Sequence, residues 1–168
     1  MPGLPPVAEP TTAAEWVAEA RRLHAEERNS SALAAVERAL ALDAAYAPAW
    51  LGKALVLEDL ERFEPALAAY DRLIACAAGN PALLTAAWSN RAGLLLRAEQ
   101  FPEALDSLNR ALEADPGNHL LMLNKGLLLL QGFENPAEAL PWLERAAAAG
   151  LPEAEEPLAF CRERIAQH

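Results

Sequence analysis

The sequence predicts an all-α fold, a solenoid of four stacked helical hairpins closed by a C-terminal helix. Three observations carry that prediction. First, one stretch reads as a complete hairpin. Trp88, Arg91, Ala92 and Leu95 share one face of a first helix, and Ala104, Leu105, Leu108, Ala111 and Leu112 share one face of a second. The two are divided at Glu99-Gln100, Pro102 opens the second, and Asp115-Pro116-Gly117 ends it. Second, the hairpin recurs. Trp16, Trp50, Trp88 and Met122 form a column at spacings of 34, 38 and 34, and Ala32, Ala66, Ala104 and Ala139 form another at 34, 38 and 35. Small residues make a third column, Ala20, Ala54, Ala92 and Gly126, as expected where packed helix axes lie only about 8–10 Å apart. Ala39, Ala111 and Ala146 make a fourth, with Leu73 as its exception. Third, 53% of the residues are hydrophobic, which suits a continuous seam between hairpins that cannot bury their apolar faces alone.

Taken in order, residues 1–11 hold four prolines without periodicity and read as a disordered or extended tail, leaving 12–168 as a single domain. A helix over 12–26 starts from Thr12 with Glu15 three residues on, a capping box. A partner over 30–43 follows, with Asn29 or Ser30 as N-cap. Pro48 opens a helix over about 47–60, and Phe63-Glu64-Pro65 opens one over about 64–77. Gly79-Asn80-Pro81 supplies a stop, an N-cap and a first-turn proline in succession. The next helix therefore runs from 81 to 98, lengthened by about one turn because four residues are added before the repeat's own start. Residues 119–131 are apolar all the way round, which predicts a helix covered on every side. Asn135-Pro136 begins a helix over 136–149 that Gly150 ends. A capping helix over about 152–166 is expected to turn Leu158, Phe160, Cys161 and Ile165 inward, with Pro157 forcing either a bend or a start nearer 155.

The pattern of Trp, small residue, aromatic, Ala, Ala and then Asp-Pro at a period near 34 resembles the tetratricopeptide repeat. Four copies fall at about 13–46, 47–80, 85–118 and 119–151. The first lacks the aromatic at Asn29, and the fourth has Met122 for Trp and one extra residue in the turn Phe133-Glu134-Asn135-Pro136. The junction from Ala146 through Gly150 to Ala154 is similar to that of Sel1-like proteins. The resemblance implies a right-handed superhelix whose first helices line a concave face that holds a peptide or a partner helix.

Composition narrows the partner. A formal charge of −10 argues against nucleic acid and against an anionic membrane, both of which demand a basic surface. No apolar run is long enough to span a bilayer, and the N-terminus has neither a positive start nor an apolar core, so a cytoplasmic location is expected. Cys76 and Cys161 fit no metal or redox spacing and read as small hydrophobes in a reducing compartment.

Chemistry is not what the sequence offers. It holds no phosphate loop, nucleophile elbow or His-Glu-x-x-His, and His24, His119 and His168 fall in unrelated repeat columns. Neither enzyme activity nor a cofactor or metal is expected. Trp16, Trp50 and Trp88 read as core, while Trp142 lies off their column and is either packed under the capping helix or exposed to a partner.

Carried over residue by residue, the resemblance aims Val17, Arg21 and His24 at the concave face, then Leu51, Gly52, Leu55 and Glu58. The third repeat adds Ala86, Ser89, Asn90, Gly93, Leu96 and Arg97, and the fourth Leu120, Leu123, Asn124, Leu127 and Gln131. Asn90 and Asn124 share one repeat position, which the resemblance makes a clamp on a peptide backbone; an amide has both the donor and the acceptor for it. The alternative is a surface asparagine bonded to the neighbouring helix. Relatives that grip chaperone C-terminal carboxylates need basic residues where Val17, Gly52, Ala86 and Asn90 stand, so a carboxylate clamp is not expected. The expected partner is a protein or peptide with an apolar segment. Self-assembly is the second reading, through the fourth repeat's first helix, Trp142 or the tail. Size, acidity and repeat count are also similar to those of small type III secretion chaperones.

Overall fold

The computed structural model describes residues 9–167, and all regular structure among them is helical. Its elements are α1 (Ala13–Ala25), α2 (Asn29–Leu42), α3 (Ala47–Asp59), α4 (Phe63–Cys76), α5 (Pro81–Arg97), α6 (Phe101–Ala114), α7 (His119–Gln131), α8 (Pro136–Ala148), a 3-10 turn (Pro152–Ala154) and α9 (Glu155–Ala166). The expected tail falls mostly outside the described residues. Its last residue, Thr11, is tied down, its backbone N–H donating to Glu15 Oε2 at 2.7 Å.

The described residues form two compact units, which divide between Cys76 and Ala77. In the first, α1 packs on α2 and α3 on α4, and α1 and α2 both touch α3. Val17, Ala20, Leu23, Ala32, Ala35, Val36, Ala39, Ala49 and Val56 make one buried cluster there. In the second, α5 packs on α6, α7 on α8, and α9 closes over α8. Its end is sealed by Leu123, Leu129, Ala139, Leu143, Ala146, Ala154, Leu158 and Cys161.

The small-residue columns are where the sequence puts them. Ala20, Ala54 and Ala92 are buried, and Ala32, Ala66, Ala104 and Ala139 are wholly so. Gly126 marks a close approach: a Cβ there would lie 2.8 Å from both Cγ and Cδ2 of Leu143.

Helix ends follow their local signals with one correction. Thr12 and Glu15 close the capping box on α1, and the side chains of Asn80, Asn118 and Asn135 each accept a first-turn N–H on α5, α7 and α8. Neither Asn29 nor Ser30 caps α2. The N-cap is Arg28, without a side-chain bond, and Asn29 is the first helical residue, its Oδ1 buried with no partner among the described residues. Asn29 stands in the column of Phe63 and Phe101, so a polar side chain has been placed where the other repeats put an aromatic.

The central turn of every repeat carries a glutamate in the left-handed region: Glu27, Glu61, Glu99 and Glu134, with φ of 59°, 54°, 56° and 51°. In the first three the following N–H reaches back five residues, as Arg28 to Leu23 O at 2.9 Å, which satisfies a carbonyl the helix end would leave open. Glycine ordinarily takes this position.

At the C-terminus the start is at Glu155, so Pro157 falls in the first turn, where its missing N–H is tolerated. Leu158 and Cys161 face inward, but Phe160 and Ile165 do not: they are 50% and 40% exposed, correcting the inward face expected for all four. A helix packed on one side only has a stripe about 100° wide to bury, and Leu158 and Cys161 fill it.

The tryptophans are also corrected. Trp16, Trp50 and Trp88 are half-buried rather than core, and each lies beneath a cation: Arg38 over Trp16 at 4.8 Å, Arg72 over Trp50 at 5.4 Å, Arg91 over Trp88 at 5.7 Å. Trp142 is half-buried against the α7–α9 cluster, between Lys125 at 3.9 Å and Arg145 at 5.3 Å. Burial holds the Lys125 ammonium below its ordinary pKa, although Glu138 opposes the shift.

Candidate peptide-binding surfaces

The first unit offers a shallow concavity of about 60 Å³ between α1 and α3. Val17, Ala20, Arg21 and His24 form one wall and Pro48, Leu51, Gly52, Leu55 and Val56 the other, with Val36 beneath. These bring together six of the predicted residues, Val17, Arg21, His24, Leu51, Gly52 and Leu55. His24 Nε2 lies 2.5 Å from Asp59 Oδ2, tying α1 to the end of α3, so its imidazole already has a partner. Glu58 accepts the Tyr70 hydroxyl and is likewise engaged. Val17 is only 3% exposed and packs in the α1–α3 cluster, which corrects it from an expected contact residue, whereas Leu51, Leu55 and Arg21 border the concavity.

The second unit has a larger recess, about 340 Å³, where α5, the start of α6 and α7 meet. Leu96, Asn124, Leu127 and Gln131 line it together, as expected, with Leu128 and Gly132. Phe101 completes the wall, and sequence reasoning missed it as a contact residue. The signal was present: Phe101 holds the repeat's turn aromatic, and the extra residue in the fourth turn brings Phe133 to within 6.5 Å of it, ring centre to ring centre.

Leu123 is corrected. At 4% exposed it packs among Leu129, Ala139, Leu143 and Leu158, because α9 covers that face of α7. Leu120, one turn nearer the start of α7, is 58% exposed and outside the recess, as are exposed Arg97 and half-buried Ala86, Ser89 and Asn90. The apolar girdle of α7 is thus covered on most sides but not at Leu120. Neither Asn90 nor Asn124 makes a side-chain hydrogen bond to another described residue.

Among the described residues no three His, Cys, Asp or Glu side chains gather as a metal would require, and no helix is long and apolar enough to cross a membrane.

Paired antiparallel helices repeating at this period, with small residues at each crossing, define an α-hairpin repeat protein. The family model described as "Tetratricopeptide repeat" matches residues 13–81 and 89–154, most of the chain, which therefore belongs to the tetratricopeptide repeat family. Solved structures agree on the fold. MamA from Desulfovibrio magneticus RS-1 is 17% identical with a TM-score of 0.76, covering 96% of this chain and 89% of that one. PilF of Pseudomonas aeruginosa is 20% identical at 0.73, covering 92% and 69%. A tetratricopeptide repeat protein from Parabacteroides merdae is 17% identical at 0.78, covering 92% and 60%. No curated protein sequence matches the chain.

Proposed function

We propose that this chain is a non-catalytic scaffold that binds a protein partner through an apolar peptide or amphipathic helix laid against its first helices. The observation that supports this reading is the recess of the second unit: Leu96, Phe101 and Leu127 form apolar walls around Asn124, whose amide has no partner among the described residues. Apolar side chains entering such a site contribute about 1.5–3 kcal/mol each before ordering costs, and an unbonded amide holds a peptide group without reading its sequence. The absence of positive charge at Val17, Gly52, Ala86 and Asn90 makes a carboxylate an unsuitable anchor. Cys76 and Cys161 are unpaired, which suits the reducing cytoplasm we assign it.

The test is a displayed peptide library selected on the intact protein. Selected peptides should be apolar at helical or alternate spacing, and Leu127→Asp should weaken them by about 10- to 100-fold, the loss of one buried leucine plus a desolvated charge. Far-UV circular dichroism of that variant should match the parent, since Leu127 is only half-buried. Peptides that bind parent and variant equally would overturn the assignment. Leu123→Asp is not a substitute, because a charge enclosed among Leu129, Leu143 and Leu158 damages the fold itself.

Leu120 favours homo-oligomerisation as a second reading, being a large apolar side chain left open at the start of α7. Light scattering of the parent and of Leu120→Glu decides it, through loss of mass in the variant.

A further inference from the structure

A second recess, about 600 Å³, lies at the C-terminal end of the second unit, between the end of α7, the start of α8 and α9. A solenoid's terminal helix ordinarily turns a polar face outward. Here Phe160 is half exposed beside the recess, with Pro157 and Pro136 along the same wall and half-buried Leu130 next to them. Two carboxylates, Glu134 and Glu156, border it, and neither has an ion-pair partner among the described residues. Glu134 leaves the chain at a left-handed turn residue, which fixes its direction of departure. The cation present, Arg164, lies over the Phe160 ring at 6.0 Å rather than beside either carboxylate. An apolar ledge flanked by two unpaired carboxylates, on a chain of net charge −10, matches one chemistry: an extended segment with an arginine or lysine next to an apolar side chain.

We propose that the cleft formed by Glu134, Pro136, Glu156 and Phe160 is a second docking site, which takes a cationic, apolar, extended peptide segment. The apolar side chain lies on Phe160 and Pro157, and the cation reaches Glu134 and Glu156. The site stands apart from the α5–α7 recess, which it meets only at Gln131, so either can be filled or lost without the other.

The experiment uses the full chain and a capped hexapeptide in which Pro-Leu-Arg occurs twice, proline keeping it extended. A second peptide with glutamate in place of both arginines is the comparison. Backbone amide shifts followed by NMR should move at Glu134 and from Glu156 to Arg164, and not at Leu96, Asn124 or Leu127. Combined Glu134→Gln and Glu156→Gln substitutions should weaken binding by about three- to tenfold, the span that two partly exposed ion pairs allow. Higher salt should weaken the parent and leave the double variant nearly unchanged. Phe160→Ala should weaken it further, while Leu127→Asp should leave it as it is. Equal binding of the glutamate peptide, shifts confined to the α5–α7 recess, or no binding at millimolar peptide would overturn the proposal. So would self-association that Phe160→Asp abolishes, which assigns the cleft to a second copy.

Discussion

Gly126→Ala and Gly93→Ala form a pair in which one change should destabilise the protein and the other stabilise it, though both put the same methyl group on a first helix. Each gains about 1 kcal/mol from the higher helix propensity of alanine. At Gly93 nothing lies within 4 Å of the new Cβ, so the gain stands alone. At Gly126 the methyl falls 2.8 Å from two carbons of Leu143 and 3.4 Å from its backbone nitrogen. Carbon contacts are comfortable at about 3.5–4.0 Å, so Leu143 must retreat by most of an ångström. It has nowhere to go, being wholly buried among Leu123, Leu129, Ala139, Ala146 and Leu158, and overpacking of this kind costs about 1–3 kcal/mol. The propensity gain is common to both, so their difference isolates the clash: Gly126→Ala should be less stable than Gly93→Ala by about 1–3 kcal/mol. Urea unfolding followed by far-UV circular dichroism measures it. Adding Leu143→Ala should shrink the penalty, since the cavity then receives the methyl. A Gly126→Ala variant as stable as Gly93→Ala would refute close helix approach as the reason for the small-residue column.

The turn glutamates give a second expectation: Glu61→Gly and Glu99→Gly should each raise stability by about 0.5–1 kcal/mol, because relief of left-handed strain outweighs the added freedom of the unfolded chain. Unfolding midpoints unchanged or lowered in both would contradict it. Asn29→Phe should stabilise the first unit by about 1 kcal/mol, by removing a buried acceptor without a partner and supplying the aromatic that stands at Phe63 and Phe101; the midpoint again decides. The Glu15 carboxylate sits below its ordinary pKa, chiefly because the backbone N–H of Thr11 donates to it, followed by that of Thr12. A depressed folded-state pKa means that its stabilisation is present above the unfolded value and is lost as pH falls through the folded one. Amide exchange in the first turn of α1 should therefore quicken on acidification through that range, relative to the other helix starts, and Glu15→Gln should remove the difference. Burial raises the pKa of the Cys161 thiol and encloses it, whereas Cys76 is half-buried; a disulfide reagent should label Cys76 first and Cys161 only as the chain opens.

The fold was legible because its determinants are local and repeated. Alanine at 32, 66, 104 and 139 has no reading other than close packing once the period is seen, and Asn80-Pro81 or Asn135-Pro136 carry helix starts in two residues. What escaped the sequence depended on neighbours. Leu123 and Leu127 lie one turn apart on an evenly apolar helix, and only the seat of α9 decides that the first is sealed and the second borders a recess. Phe160 and Ile165 failed for the converse reason, apolar residues on a helix with one packed side. The tryptophans read as core because their ring size suggests it, while the arginines that cover them, Arg38 and Arg72, follow the same period on the partner helices and passed as ordinary surface charge. Trp142 stands in the column of Ala35, Ala69 and Ser107, where no repeat pattern explains an indole; Lys125 against its face shows what occupies the space.

Because one indole sits at the edge of each hairpin, Trp16 in α1, Trp50 in α3, Trp88 in α5 and Trp142 in α8, the molecule carries a built-in set of optical reporters. Each ring is half-buried with a guanidinium or ammonium above it, so replacing any three by phenylalanine leaves emission from a single known layer. Loss of order within each hairpin then becomes readable separately, without an attached dye.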